Sequence, residues 1–203
     1  MCNLYEHHLA EQEKIFGKGL DEVLGNLPPQ EVYPGGQGIV YNALGELRVM
    51  TWGFPLALKS KQTGQLLKPK PVNNARTDKL DSFMWRDSFD KRRCLIPATR
   101  FAEAEGAKGS MTRTWFSPTD QPRLFLAGVW RESIEWGGVY SMVMTESAAP
   151  VSRIHDRMPV VLTADEQSVW LLGSPAEAFS LCRPKANLLL EDRTAQLWFK
   201  RKA

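Results

Sequence analysis

Short apolar segments separated by turn residues run through the middle of the chain, and they predict a series of β-strands. The pattern predicts strands over residues 39–41 and 47–52, joined by a turn over 42–45. It also predicts a buried strand over 93–97, which would place Cys94 in the core. Three further antiparallel strands are predicted over residues 114–116, 123–130 and 139–145.

Helical patterns are shorter and lie mostly towards the two ends of the chain. The N-terminal pattern predicts helices over residues 5–16 and 20–26, which Pro28-Pro29 would end. Thr77 or Asp78 can cap a further helix, whose apolar positions are Leu80, Phe83, Met84 and Trp85. Two capping-box patterns follow: they are Thr163-x-x-Glu166, ahead of a helix through Trp170, and Ser174-Pro175-x-Glu177, ahead of a helix ending at 182–184.

Short strands therefore outnumber helices, and the two do not alternate regularly. This order is typical of an α+β fold with a small antiparallel sheet or barrel, and it argues against a doubly wound fold. With 203 residues, we expect a single domain over 1–203, of which 200–203 form a basic tail.

The composition is that of an ordinary globular protein, with 43% hydrophobic and 24% charged residues. No run of about 18 apolar residues is present, and the N-terminus lacks the basic and apolar regions of a signal peptide. We therefore expect a cytoplasmic protein whose cysteines, Cys2, Cys94 and Cys182, are reduced. The three His and three Cys residues are not closely paired, so we expect neither a bound metal nor a cofactor.

Positive charge is concentrated in one stretch of the chain. The formal net charge is only +3, but residues 47–77 contain six basic residues and no Asp or Glu. A solvated surface loop is one explanation. The same stretch carries Trp52 and Phe54, and interleaved aromatic and basic residues suit single-stranded nucleic acid, where bases stack and phosphates pair. Both interpretations stay open at this point.

Cys2 is the residue with the most distinctive chemistry. Removal of Met1 would leave a free α-amine and a thiol on adjacent carbons, and both are partly nucleophilic near neutral pH. An aldehyde can condense with the amine to an imine, which the thiolate can then close to a five-membered thiazolidine. The same cysteine could attack an acyl group with its own amine as base. Cys2 could also be an unremarkable residue near a start codon.

Three polar sites elsewhere stand out against apolar surroundings. They are the segment 73–76, the alternating Glu103 and Glu105, and His155 ahead of an apolar run. Each has an ordinary explanation as a turn asparagine, an exposed glutamate or a loop histidine. Taken together, Cys2, Asn74, Glu103 and His155 supply a nucleophile, an orienting amide and two proton carriers.

These motifs, in this order, resemble the SOS-response-associated peptidase (SRAP) family over nearly the whole chain. The ordered set is specific although no single piece is decisive. It comprises Met1-Cys2, Trp52-Gly53-Phe54-Pro55, Asn74-Ala75-Arg76, Arg93-Cys94-Leu95-Ile96-Pro97-Ala98, Phe101-x-Glu103, Ala127-Gly128-Val129-Trp130 and His155-Asp156-Arg157-Met158-Pro159-Val160.

The resemblance implies an α+β fold with a small β-barrel and covalent capture of abasic sites in single-stranded DNA by Cys2. It also implies autoproteolytic removal of residues ahead of the cysteine, with a lyase side reaction where the thiol does not close the ring. The implied partner is single-stranded DNA containing abasic sites, bound by a monomer without metal or membrane. The implied catalytic residues are Cys2, Asn74, Glu103 and His155, and the implied DNA-binding residues are Arg76 and Arg157 for phosphates and Trp52, Phe54, Met158 and Pro159 for base stacking.

The chain departs from the family pattern at two places. Asn3-Leu4 follows the cysteine where Gly-Arg is usual, which removes a phosphate-binding arginine. Ala102 and Ala104 flank Glu103 where aromatic residues are usual, so Glu105 competes with Glu103 for the acidic role. We prefer Glu103 because its spacing from Pro97 fits the pattern.

Two other function classes use the same residues. An N-terminal-nucleophile peptidase or amidohydrolase would need Cys2 but no basic, aromatic groove. A non-catalytic module that binds single strands would need the groove and would leave the polar set unexplained.

Overall fold

The computed structural model of the protein describes residues 2–7 and 31–198, and β-strands make up most of that part of the chain. The strands are β1 (Leu4–Glu6), β2 (Glu31–Val32), β3 (Gln37–Asn42), β4 (Leu47–Trp52), β5 (Phe54–Leu56), β6 (Lys70–Val72), β7 (Asn74–Arg76), β8 (Arg93–Ala98), β9 (Arg100–Glu105), β10 (Thr112–Pro118), β11 (Leu124–Ser133), β12 (Gly137–Glu146), β13 (Arg157–Pro159), β14 (Val161–Leu162) and β15 (Leu189–Leu197). The α-helices are α1 (Arg86–Lys91), α2 (Ala164–Leu172) and α3 (Pro175–Ser180).

Five of these strands close into a small barrel. β11 pairs with β8 and β12, β8 pairs with β3, and β3 pairs with β4. A short parallel pairing between β4 and β12 completes the ring. The second half of β12 extends beyond the ring and is flanked by β7 and β13. This extension places the two short strands at one end of the barrel, where they help to form the site described below.

A second, five-stranded sheet carries the N-terminal segment, in the order β15-β10-β9-β1-β2. Its register places Tyr5 beside Phe101 and Leu4 beside Ala102. Since neighbouring residues of a strand point to opposite faces, the first pair faces one side of the sheet and the second pair faces the other.

The core has three parts, which follow from these faces. The largest cluster lies inside the barrel and against the inner face of the second sheet, and it includes Cys2, Trp52, Phe101 and Tyr140. A second cluster packs α1 and α2 against the outside of the barrel. The third lies on the outer face of the second sheet; its buried members are Leu4, Ala102, Trp115 and Trp198, and we refer to it as the outer cluster.

The structure confirms the predicted fold class and most of the predicted strands. Strands occur at all six predicted places, and residues 42–45 form the predicted turn. Both capping boxes precede helices, with the Glu166 carboxylate accepting from the Thr163 amide. Within residues 2–7 and 31–198, no helix is long and apolar enough to cross a bilayer.

Two helix predictions are wrong over the residues that the structure describes. The predicted helix over residues 5–16 begins instead as β1, because Tyr5 and Glu6 pair with β9 and β2. The rest of that segment and the predicted helix over 20–26 lie outside the described residues. After Thr77 the chain forms a short 3-10 helix, Thr77–Lys79, and the α-helix starts only at Arg86. The Asp78 carboxylate accepts from Arg76 and does not cap a helix. Several short strands and the long C-terminal strand β15 were not predicted.

Candidate active site around Cys2

Cys2 is fully buried, in the cluster that also contains Tyr5 and Phe101. It precedes β1, and its thiol lies 3.5 Å from the Leu4 carbonyl oxygen as a weak donor. Burial raises the pKa of the Cys2 thiol well above its usual range, and the negative charge of Glu103 raises it further. The thiol is therefore protonated in this chain, whose Cys2 nitrogen is an amide because Met1 precedes it.

Two neighbouring asparagines hold the Cys2 carbonyl. The side-chain amide of Asn74 donates to this oxygen at 2.8 Å, and that of Asn73 donates to it at 3.0 Å. The Asn73 amide also donates to the side-chain oxygen of Asn3 at 3.1 Å. The peptide that follows Cys2 is therefore held by two side chains.

The barrel fixes these asparagines in turn. Asn74 lies on β7, which pairs in parallel with β12 at Met142. The backbone carbonyl of Asn73 accepts from the Trp52 indole at 2.9 Å and from the Met142 amide at 3.0 Å. The side-chain oxygen of Asn74 is buried and has no hydrogen-bond partner among the described residues. A buried acceptor of this kind usually has a donor in the functional state.

Glu103 lies on β9 with its side chain on the inner face of the second sheet, the face to which Cys2 turns. The residue is only 3% exposed. Burial is the main cause that raises the pKa of Glu103 to about 7, and the negative charge of Asp156 contributes to this rise. A carboxyl with this pKa is about half protonated at neutral pH, so it can both give and accept a proton.

Glu105 shares that face but lies in different surroundings. Its carboxylate forms an ion pair with Arg193 at 3.2 Å and accepts a hydrogen bond from Thr114 at 2.6 Å. These contacts engage both oxygens at the rim of the sheet. The geometry therefore favours Glu103 over Glu105 as the proton carrier.

His155 lies in the loop ahead of β13, and its neighbours Val151 and Met158 belong to the cluster that contains Cys2. Its Nδ1 accepts from the Arg157 amide at 3.0 Å and lies 2.9 Å from the Asp156 carboxylate. The carboxylate favours a protonated ring, but burial has the larger effect and lowers the pKa of His155. The imidazole is accordingly neutral near pH 7.

The two arginines implicated in phosphate binding lie at the same end of the barrel. Arg76 ends β7, and its exposed guanidinium makes two hydrogen bonds to Asp78 at 2.9 and 2.7 Å. Arg157 begins β13, and its charge helps to lower the pKa of Asp78, after the Arg76 hydrogen bond and charge. Asp156 lies close enough for its charge to act on both Arg76 and Glu103. Asp156 therefore acts electrostatically both on an exposed arginine and on the buried Glu103.

The four residues implicated in base stacking are buried. Trp52 and Phe54 are fully buried, the first in the barrel and the second against Trp85. Met158 and Pro159 are buried as well. A base cannot stack on these side chains in this conformation, so the structure assigns them packing roles behind the site.

Sequence reasoning missed Asn73 and Asn3 as site residues. The pair Asn73-Asn74 was a signal for Asn73, but a turn explained this asparagine equally well. It also missed Asp78 and Asp156, the acidic partners of the arginines and histidine. In the part of the chain that the structure describes, no group of three His, Cys, Asp or Glu side chains could hold a metal.

A cavity outside this site lies at another place on the protein. It has a volume of about 500 Å³ and opens between the segment 118–125 and the start of α2. None of the residues around Cys2 lines it. This cavity is therefore separate from the polar groups around Cys2.

Comparisons with known proteins point to one family. The model of the SOS response associated peptidase (SRAP) family matches residues 3–194. A search of curated proteins finds no match.

Solved structures share the fold at low sequence identity. A protein from Bacteroides thetaiotaomicron is 19% identical, with a TM-score of 0.74 over 95% of this chain and 91% of that one. A protein from Bordetella bronchiseptica is 20% identical, with a TM-score of 0.73 over 95% and 99%. A phage-related protein from the same organism is 18% identical, with a TM-score of 0.68 over 96% and 95%. At these identities the likeness concerns the fold alone.

Proposed function

Since this chain belongs to the SOS response associated peptidase (SRAP) family, we propose that it captures abasic sites in single-stranded DNA covalently through Cys2. The family name associates the chain with the SOS response. One observation carries the proposal: Asn73 and Asn74 hold the Cys2 carbonyl while Glu103, with a pKa of about 7, faces the same cluster.

The reaction requires removal of Met1, by hydrolysis of the Met1–Cys2 amide bond, to expose the Cys2 amine. The amine then attacks the C1′ aldehyde of the ring-opened abasic sugar and forms a carbinolamine. Loss of one water gives an imine, and addition of the Cys2 sulfur to the C=N carbon closes the thiazolidine. The thiol proton ends on the nitrogen, so the sum is aldehyde plus aminothiol giving thiazolidine plus water.

Two groups are placed to move protons in these steps. Glu103 can protonate the leaving hydroxyl of the carbinolamine, and it can accept the thiol proton before ring closure. The neutral imidazole of His155 can transfer a proton during sugar ring opening. The unpartnered side-chain oxygen of Asn74 is a suitable acceptor for an N–H of the mature Cys2 amine or for a sugar hydroxyl.

DNA would approach through Arg76 and Arg157, at the end of the barrel where β7 and β13 flank β12. The Arg76–Asp78 pair is exposed, and such pairs contribute only about 0–1 kcal/mol. A phosphate can therefore replace Asp78 at low cost. Exposed lysines of the basic stretch, Lys59, Lys61, Lys68 and Lys70, add positive charge nearby in sequence.

The departure at Leu4 changes the expected affinity for DNA. Leu4 is fully buried in the outer cluster and takes the place of the usual arginine. One cationic phosphate contact next to the nucleophile is thus lost, while the groups around the Cys2 carbonyl are present. We expect weaker DNA binding and intact adduct chemistry.

The test is the intact mass of purified protein with and without single-stranded DNA that contains one abasic site. We expect a protein that lacks Met1 and a heat-stable adduct equal to protein plus DNA minus one water. DNA without the abasic site is the control. A mature protein that forms no adduct, yet releases amines from peptides or small amides, would favour the amidohydrolase alternative instead.

A further inference from the structure

We infer that Asn73 is a positioning residue for the Cys2 nucleophile, acting with Asn3 as a second clamp beside Asn74. The inference rests on the proposed function for its reaction. The inference goes beyond the proposed function because it assigns a role to Asn73 and Asn3. Neither residue is the nucleophile, a proton carrier or a phosphate contact.

The geometry of the Asn73 amide is the first argument. An amide nitrogen carries two hydrogens, and here one goes to the Cys2 carbonyl at 3.0 Å and the other to the Asn3 side-chain oxygen at 3.1 Å. Both hydrogens therefore bind the residues that flank the Cys2–Asn3 peptide bond. The nitrogen of Asn73 is fully used in holding the N-terminal segment.

The second argument is that the Asn74 hydrogen bond alone does not fix the orientation of the Cys2–Asn3 peptide plane. A single hydrogen bond to a carbonyl oxygen lets the peptide plane turn about that contact. A second donor, from a neighbouring residue and with an additional contact to Asn3, removes this freedom. The amine and the thiol are both attached to the Cys2 Cα, so fixing this peptide plane restricts where both nucleophiles can lie.

The third argument is the rigidity of the clamp itself. The carbonyl of Asn73 accepts from the buried Trp52 indole and from the Met142 amide of β12. Met142 also pairs with Asn74, so one residue of the barrel holds both asparagines. Because the asparagines are anchored on the barrel, they hold Cys2 at a fixed position relative to it. Such positioning accelerates a reaction between bound groups.

The experiment compares single-turnover adduct formation by wild type, Asn73→Ala, Asn73→Asp and Asn3→Ala. Asn73→Ala should lower the maximal rate about 10–100-fold while the half-saturating DNA concentration stays unchanged, because the side chain holds the nucleophile and not the phosphates. Asn73→Asp has the same shape without a donor and should be at least as slow. Asn3→Ala keeps the contact to the Cys2 carbonyl and should be slowed less.

Two readouts separate positioning from a general loss of structure. The rate of Asn73→Ala should be lower by the same factor at every pH, since no titrating group is changed. Asn187→Ala, which alters an exposed asparagine in a distant turn, should match wild type. All variants are measured at a temperature at which circular dichroism shows them folded.

A DNA-free arm keeps the inference separate from the proposed function. The mature proteins are treated with formaldehyde, and formation of the Cys2 thiazolidine is followed by intact mass. If wild type reacts with formaldehyde but not with abasic DNA, the proposed function fails, and the same variants still test the clamp. A rate for Asn73→Ala equal to wild type in either reaction, or a change confined to the half-saturating DNA concentration, overturns the inference.

Discussion

The burial of Glu103 predicts an unusual dependence of stability on pH. Burial raises the pKa of this carboxyl from 4.5 to about 7, so the folded state holds the proton more tightly than the unfolded state does. Protonation therefore stabilises the fold, fully so below pH 4.5, and this contribution is lost as the pH rises through 7. A shift of this size corresponds to roughly 3 kcal/mol at 1.36 kcal/mol per unit.

Glu103→Gln removes this effect, because glutamine has a similar shape and no titrating proton. The free energy of unfolding of the variant, minus that of wild type, should rise by about 3 kcal/mol between pH 4 and pH 8. Contributions from other carboxyls and histidines cancel in the difference. The variant should thus gain stability relative to wild type near and above neutral pH, where the wild-type carboxyl ionises.

Urea unfolding at several pH values measures the difference directly, provided that the slope with denaturant is the same for both proteins. The adduct rate is measured on the same samples and should fall about 10²–10⁴-fold in Glu103→Gln, the usual range for a lost acid–base group. Glu105→Gln, which alters an ion-paired rim residue, is the matched control and should keep nearly the wild-type rate.

A difference in unfolding free energy that stays flat from pH 4 to pH 8 would refute the reasoning. It would mean that the Glu103 carboxylate is ionised and compensated inside the fold, so that it has no proton to give at neutral pH. A slow Glu105→Gln beside a normal Glu103→Gln would overturn the choice between the two glutamates even if the stability result held.

Three further predictions address the nucleophile, the DNA contacts and the outer cluster. Cys2→Ser keeps the amine but loses the sulfur, so its adduct should require borohydride trapping; a spontaneously stable adduct would exclude the thiazolidine. Arg76→Ala and Arg157→Ala should each lower the slope of log affinity against log salt by about 0.7 on single-stranded DNA, and unchanged slopes would place the DNA on another surface. Leu4→Ala should cost about 2–5 kcal/mol of unfolding free energy, measured by urea unfolding; a smaller loss would mean that the outer cluster collapses around the gap.

The barrel strands were predictable because their signal is local. Strands β3 and β4 have apolar residues on both sides of a turn, and the six residues of β8 are all buried. The helix caps of α2 and α3 are equally local, since each depends on two residues three positions apart. Elements of this kind are visible in any window of about ten residues.

Elements that depend on distant partners could not be predicted. β1 has only three residues, and it is a strand because β9, almost a hundred positions away, pairs with it. The sequence of β15 is mostly polar and carries no local strand signal, and the segment is a strand because it pairs with β10. Tertiary pairing of this kind overrides local preference.

In the candidate site, too, some features could be predicted from local sequence and others could not. Cys2, Asn74, Glu103 and His155 could be proposed as site residues from the sequence because their residue types carry the chemistry. The family resemblance implied a stacking role for Trp52, and the interleaved aromatic and basic residues agreed with it, but Trp52 lies on the inward face of β4 and its ring is buried in the barrel. Exposure depends on which way a strand faces, and a list of residue types does not contain that information.

The outer cluster joins the two ends of the described chain. Leu4, Ala102 and Trp115 lie side by side across three adjacent strands, and Trp198 packs on them from just beyond β15. A small residue at 102 leaves space for the leucine, and the tryptophan covers both. We therefore expect positions 4, 102 and 198 to vary together among relatives. A relative with arginine at position 4 should often lack alanine at 102 or tryptophan at 198. In the laboratory, a tag or truncation near residue 198 would disturb the packing around Leu4, two residues from Cys2, although almost the whole sequence separates residues 4 and 198.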